Sequence, residues 1–260
     1  MSLSFVHLNV HSNFSLLAGT RSVDELVAAA RLAGMSALAL TDTNGLYAAV
    51  DFQAACRAAD VHPVFGVDLR HDGKRAVLLA RDAVGYGEIC RLVSRRHLDA
   101  EFRLGAALAG TSEHVFVLCS DAALLAALRG RDNVYVEIVC HHDMISRRRK
   151  YQLLDVAERL GLPVVATNNV HMLGRDEHRI HRVLCAIRTN TTVGTVPDGE
   201  VEHEECFLRS PGEMAALFAD VPAALENTTH IAWSCQYTLP STRAPAGGRT
   251  AQRNDCRMSL

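Results

Sequence analysis

Short apolar runs alternate along this chain with longer segments whose apolar positions recur every three or four residues. Seven runs read as strands: SFVHLNV (4–10), SALALTD (36–42), VFGVDLR (64–70), RAVLLAR (75–81), HVFVLCS (114–120), VYVEIVC (134–140) and PVVATN (163–168). Several are apolar at successive positions, as strands buried on both faces are. Helical patterns fill the gaps at 22–34, 46–61, 85–98, 121–130 and 146–161. The first is well punctuated, with Ser22 and Glu25 as a capping box and Gly34 just past its end. Repeated strand–helix–strand units predict an α/β fold whose parallel sheet closes, or nearly closes, into a barrel.

Beyond residue 174 the pattern becomes helical. Segments 176–190, 210–220 and 222–235 carry helix periodicity, and the second opens on Ser210, Pro211 and Glu213, a capping box with proline in the first turn. The expected division is a barrel over 4–174, a helical extension over 175–237 and a disordered tail over 238–260, where Ser, Thr, Arg, Gly and Pro dominate.

Composition narrows the partners. The chain has 260 residues, 48% hydrophobic and 22% charged, with a formal net charge of −2. That balance gives no global cationic field for nucleic acid, so contact with DNA is expected to be indirect. The basic runs SRRRK (146–150) and RLVSRRH (91–97) read as solvated helix faces. Eight cysteines contain no C-x-x-C pair, which fits reduced thiols and a cytoplasmic setting. No basic-then-apolar leader opens the sequence, and no apolar stretch approaches membrane-spanning length, so no membrane role is expected. G-x-S-x-G, Walker A and G-x-G-x-x-G motifs are all absent.

Chemistry in α/β barrels sits at the C-terminal ends of strands. There the sequence places His11, Asp42, Asp68, His141 and His171. In HLNVHSNFS, His7, Asn9 and His11 fall on one face of a strand. Imidazoles and carboxylates converging on one point would hold metal and clamp a phosphate ester. Beside them stand weak or non-ligating residues, Asn9, Thr43, Asn168 and Asn169. His7 and Asp42 are further candidates, with a strand hydrogen bond and a turn cap as their structural alternatives.

FVHLNVHSNFSLLAG, GMSALALTDTNGLYAAVDF, VHPVFGVDL, YVEIVCHH and LGLPVVATNNVHML resemble, in order and spacing, the PHP (polymerase and histidinol phosphatase) domain at the N-terminus of bacterial class C DNA polymerases. The resemblance runs from about residue 4 to 237 and includes VLCAIRTNTTV and CFLRSPGEMAALFADVPAALENTTHIAWSC. It implies a distorted seven-stranded α/β barrel, with the helical extension leading toward a polymerase palm that is not in this sequence. Metal-binding members carry a trinuclear cluster that supports phosphoester hydrolysis, including 3′–5′ proofreading. Mapped residue by residue, His11, His141 and His171 match the family's ligands and Asp68 is a shortened carboxylate. Asn9, Ala18, Thr43 and Asn169 stand where the family has ligands. The resemblance therefore implies an eroded site, residual at His11, Asp68, His141 and His171, with no cofactor expected; Zn²⁺ or Mn²⁺ would be the metals of any residual binding. The chain itself is expected to be non-catalytic and to serve as a platform, its partners the remainder of a polymerase chain or a proofreading or replisome subunit. The parent protein would be a DNA-directed DNA polymerase, and this chain a truncated or frameshifted N-terminal portion of it. The alternative is a stand-alone metal-dependent phosphoesterase or 3′–5′ exonuclease.

Overall fold

A computed structural model describes residues 5–240. An extended segment at 5–11 leads through a tight loop to α1 (Val23–Leu32) and β1 (Ala37–Leu40). Then come α2 (Ala49–Ala59), β2 (His62–His71), β3 (Lys74–Ala80), α3 (Ala83–Leu98), α4 (Leu104–Ala109) and β4 (Val115–Cys119). The chain continues through α5 (Ala122–Ala127), β5 (Val134–Val139), α6 (Met144–Leu160) and β6 (Val164–Thr167). Helices α7 (His178–Arg188), α8 (Pro211–Leu217) and α9 (Pro222–Ser234) follow. The Ser22–Glu25 and Ser210–Glu213 capping boxes both form, and Gly34 takes the positive φ of a residue just past a helix end. Helix α4 had no expectation attached to it.

The strands form one six-stranded sheet in sequence order. The resemblance implied seven. The seventh place is held by segment 5–11, which bonds to the sheet on both sides. Ala39 N–H donates to His7 O and Thr41 N–H to Val10 O on one side; Val170 N–H donates to Asn9 O and His11 N–H to Val170 O on the other. A regular ladder fails there because Val10 N–H donates to the Thr41 hydroxyl instead of a backbone carbonyl.

The all-parallel expectation also needs correction. β1–β2, β4–β5 and β5–β6 are parallel, but β3 runs antiparallel to both neighbours. The cause is local. Asp72 and Gly73 both take positive φ, 50° and 70°, making the two-residue turn that reverses a chain between paired strands.

Both sheet faces are buried, which explains the unbroken apolar runs. On β3, Ala76, Leu78 and Ala80 pack in a cluster with Val115 and Val117 of β4 and residues of α3 and α4, including Ile89 and Leu108. The alternate residues Val77 and Leu79 join Ala37, Ala39, Val64, Phe116, Leu118, Tyr135 and Val165 in a second cluster. Ile231, Ala232 and Cys235, at the end of α9, belong to that second cluster, so α9 packs against the barrel's own inner face. Past α9, Tyr237 stacks on Tyr86 at 4.7 Å, and Leu239 exchanges two hydrogen bonds with the Gln53 amide. The expected disordered tail lies outside the described residues from 241 onward. One basic run also reads differently: Lys150 in SRRRK is buried, paired with Asp220 at 2.5 Å and set over the Phe218 ring.

Helix α3 docks closely. A Cβ on Gly85 would stand 2.0 Å from the His114 carbonyl oxygen. Gly85→Ala is expected to cost about 1–3 kcal/mol through overpacking, seen as a lower urea midpoint at unchanged slope. An unchanged midpoint would contradict this packing.

Candidate functional site

The inner faces of β1, β2, β5 and β6 change character toward one end. Ala37 and Ala39 are followed in register by Thr41, Val64 by Asp68, Tyr135 by Glu137 and Val165 by Thr167, all buried. β3 runs the other way, so its first turn, not its last, reaches this end, and Arg75 precedes Val77 and Leu79 on the same face. Polar residues of five strands and of segment 5–11 thus meet at a single mouth.

Arg75 is the centre of the meeting. Its Nη2 donates to Glu137 Oε2 at 2.6 Å, its Nε lies 3.5 Å from Asp68 Oδ1, and its Nη1 donates to Asn169 Oδ1 at 3.4 Å. Arg70, two residues along β2 from Asp68, reaches Asp68 Oδ2 at 2.7 Å and Glu202 at 3.4 Å. Burial would raise the Asp68 carboxyl, but the charges of Arg75 and Arg70 outweigh it and hold the group below the usual carboxylate range. Both guanidinium groups are in turn held in their charged form by Asp68, despite their own burial.

The residues that replace family ligands complete this network. Asn9 Nδ2 donates to Glu137 Oε1 at 2.9 Å and, more weakly, to Asn169 Oδ1, while its carbonyl accepts from the Thr41 hydroxyl. Asn169 Nδ2 donates to Glu202 Oε2 at 2.8 Å. Thr167 hydroxyl donates to Glu137 Oε1. Thr43 sets its hydroxyl 3.3 Å from His11 Nδ1, and the Ala18 carbonyl accepts from His181 Nδ1 of α7. Asn168, by contrast, donates to the backbone of Glu205 and Phe207 and braces the segment after α7.

His11 and His171 stack at 4.0 Å between ring centroids, both fully buried. Burial pulls His11 down to about 3 and His171 well below the usual imidazole value, so both are neutral. Asp42 does not face them. Its carboxylate accepts from Ser12 N–H, the Ser12 hydroxyl and the Ser15 hydroxyl, tying the 12–19 loop to the end of β1. His7 places Nε2 2.9 Å from the Arg209 carbonyl and its ring against Phe5, which is the strand-histidine alternative. His141 stands apart as well: its contacts run to Ser146, Cys206 and His203. The mouth therefore gathers His11, Asp68, His171, Asn9, Thr43 and Asn169, and leaves out His7, Asp42 and His141.

Sequence reasoning missed Arg70, Arg75, Glu137 and Glu202. Glu137 lay inside an apolar strand at a polar-breaking position, a signal in plain view. Arg75 lies near the start of β3, the end that a parallel strand would turn away from the mouth.

A metal cluster does not fit this mouth. Among the described residues, His11, Asp68 and His171 do not bring three donor atoms within 4.8 Å of one another, whereas His141, Asp143 and His203 do. The guanidinium groups already engage the carboxylates. A divalent ion about 5 Å from either would meet roughly 7 kcal/mol of repulsion at an effective dielectric of about 20. Against this, His11 Nε2 and both ring nitrogens of His171 have no hydrogen-bond partner among the described residues.

Arg75→Met strands Asp68 and Glu137 in the barrel, and is expected to cost about 3–5 kcal/mol at neutral pH. The sign with pH follows from Asp68. Its depressed carboxyl contributes stability at neutral pH that is lost as pH falls. Because Asp68 is held below its usual value of 3.8, that loss falls below about pH 4. Without Arg75 the contribution shrinks, so the gap between variant and wild type narrows as pH drops below about 4. Urea midpoints at about pH 5 and about pH 3 measure it; an equal gap would contradict the network.

A PHP domain model matches residues 7–163. The error-prone DNA polymerase of Symbiobacterium thermophilum is 33% identical over 298 residues, covering 96% of this chain and 27% of that protein. The DNA polymerase III subunit alpha of Pseudomonas aeruginosa is 30% identical over 285 residues, covering 95% of this chain and 24% of that protein. The chain thus spans about a quarter of the length of these relatives. An amidohydrolase structure from Chromobacterium violaceum overlays with a TM-score of 0.42 at 12% identity, covering 65% of this chain and 88% of that one. No helix among the described residues is long and apolar enough to cross a membrane. From the matched residues and the polymerase relatives together, the chain belongs to the PHP domain family.

Proposed function

We propose that this chain is the PHP portion of a class C DNA-directed DNA polymerase, replicative or error-prone, that works in DNA replication or repair synthesis in the cytoplasm. Its barrel, over 4–174, is a non-catalytic platform; the helices over 175–237 lead toward the polymerase body. Its partners are the remainder of a polymerase chain or a proofreading or replisome subunit, and it meets DNA only through them. The observation that carries the non-catalytic reading is the Arg75 fork between Asp68 and Glu137. It supplies, from within the chain, the positive charge that buried carboxylates otherwise need from a metal. Asn9 and Thr167 donate to the other oxygen of Glu137, and Asn169 donates to Glu202.

A second reading, a metal-dependent phosphoesterase or 3′–5′ exonuclease using His11, Asp68 and His171, is favoured by the unpartnered imidazole nitrogens. One assay separates the two. The purified chain, with Mn²⁺ or Zn²⁺, is given bis-p-nitrophenyl phosphate and a 5′-labelled single-stranded DNA. The expected result is no hydrolysis above the metal blank. Hydrolysis that His11→Ala abolishes would overturn the platform reading.

A further inference from the structure

Outside the mouth, His141, Asp143 and His203 bring three ligand atoms within 4.8 Å of one another, the only such group among the described residues. The sequence points to His141 but not to Asp143 or His203. His141 and Asp143 sit in the turn between β5 and α6, while His203 comes from the segment between α7 and α8, about sixty residues later.

Each ligand is already positioned. Asp143 is the N-cap of α6: Oδ1 accepts from Ile145 N–H and Ser146 N–H, both at 2.8 Å, and Oδ2 accepts from the Ser146 hydroxyl at 2.7 Å. Those bonds fix the carboxylate, fill Oδ1, and leave Oδ2 one lone pair for a cation. His141 is buried, and its backbone N–H is held by the Ser146 hydroxyl oxygen. The His203 ring lies beside it at 4.7 Å between centroids and 23° between planes. His203 itself is exposed, which leaves one side of the group open to solvent. Among the described residues no arginine or lysine forms an ion pair with Asp143, whereas Arg70 or Arg75 engages Asp68, Glu137 and Glu202 at the mouth.

We propose that His141, Asp143 and His203 bind one zinc ion per chain. Two imidazoles and one carboxylate match zinc's ligand preference, and the open side completes four-coordination with water. The ion would tie the start of α6 to the 201–206 segment. That segment supplies Glu202 to the Arg70 and Asn169 contacts, so zinc would brace the mouth from outside without entering it. Asp143 and His203 fall outside the positions that the family resemblance maps, so this reading goes beyond the platform proposal and does not depend on it.

The test loads the chelator-stripped 260-residue chain with Zn²⁺ alone, and reads stoichiometry by elemental analysis and stability by thermal unfolding. The expectation is one zinc per chain and a rise in Tm of roughly 5 °C with zinc well above its dissociation constant. His203→Ala, at an exposed position, should remain folded and lose affinity by more than the roughly 10–100-fold that removing an outer hydrogen-bond partner of a ligand costs. Asp143→Asn, which keeps the helix cap but removes the charge, should also weaken binding. His142→Ala, at the exposed neighbouring histidine, should bind zinc like wild type. Absence of stoichiometric zinc in the wild-type chain, or undiminished affinity in His203→Ala, would overturn the assignment.

Discussion

The polar end of this barrel depends on one arrangement, a fixed guanidinium shared between two buried carboxylates. Asp68 and Glu137 arrive from β2 and β5 with almost no exposure. Alone, each would carry a desolvation penalty of several kcal/mol. Arg75 meets both from β3, and Arg70 meets Asp68 again from the solvent side. Once those charges are matched, amides and hydroxyls suffice where imidazoles would otherwise be needed to hold an ion. Asn9 and Asn169 are hydrogen-bond partners suited to a site whose cation is part of the chain.

The same barrel shows how one strand face serves two purposes. Its inner positions are apolar along most of their length and are covered by Ile231, Ala232 and Cys235 of α9. Toward the mouth β1, β2, β5 and β6 turn polar at Thr41, Asp68, Glu137 and Thr167, and β3 at Arg75. The apolar stretch supplies burial, and the polar rim is positioned by strands that cannot shift register without exposing that stretch. The loop at 12–19 is tied to the rim by Asp42, a carboxylate used for structure rather than for the mouth.

Much of the fold was legible in advance because both-face burial and helix caps leave strong local marks. Ser22, Glu25, Ser210 and Glu213 sit where the capping boxes form. The reversal of β3 is written in Asp72-Gly73, a two-residue turn signal, where the alternation of strands and helices predicts a parallel sheet. An antiparallel strand presents its opposite end to the mouth, which is how Arg75 arrives there. The strand-end rule places His11, His141 and His171 at one end of the barrel, but no local rule brings residues 160 positions apart into a stack. The geometry sets His141 beside His203.

The central claim is that arginine, not metal, supplies the positive charge at the barrel mouth. Anomalous diffraction at the zinc and manganese edges, from crystals of the chain soaked in each ion, tests it most directly. The account predicts no anomalous peak among His11, Asp68 and His171, with Arg75 still bridging Asp68 and Glu137. A peak between those three residues, with Arg75 displaced, would contradict it.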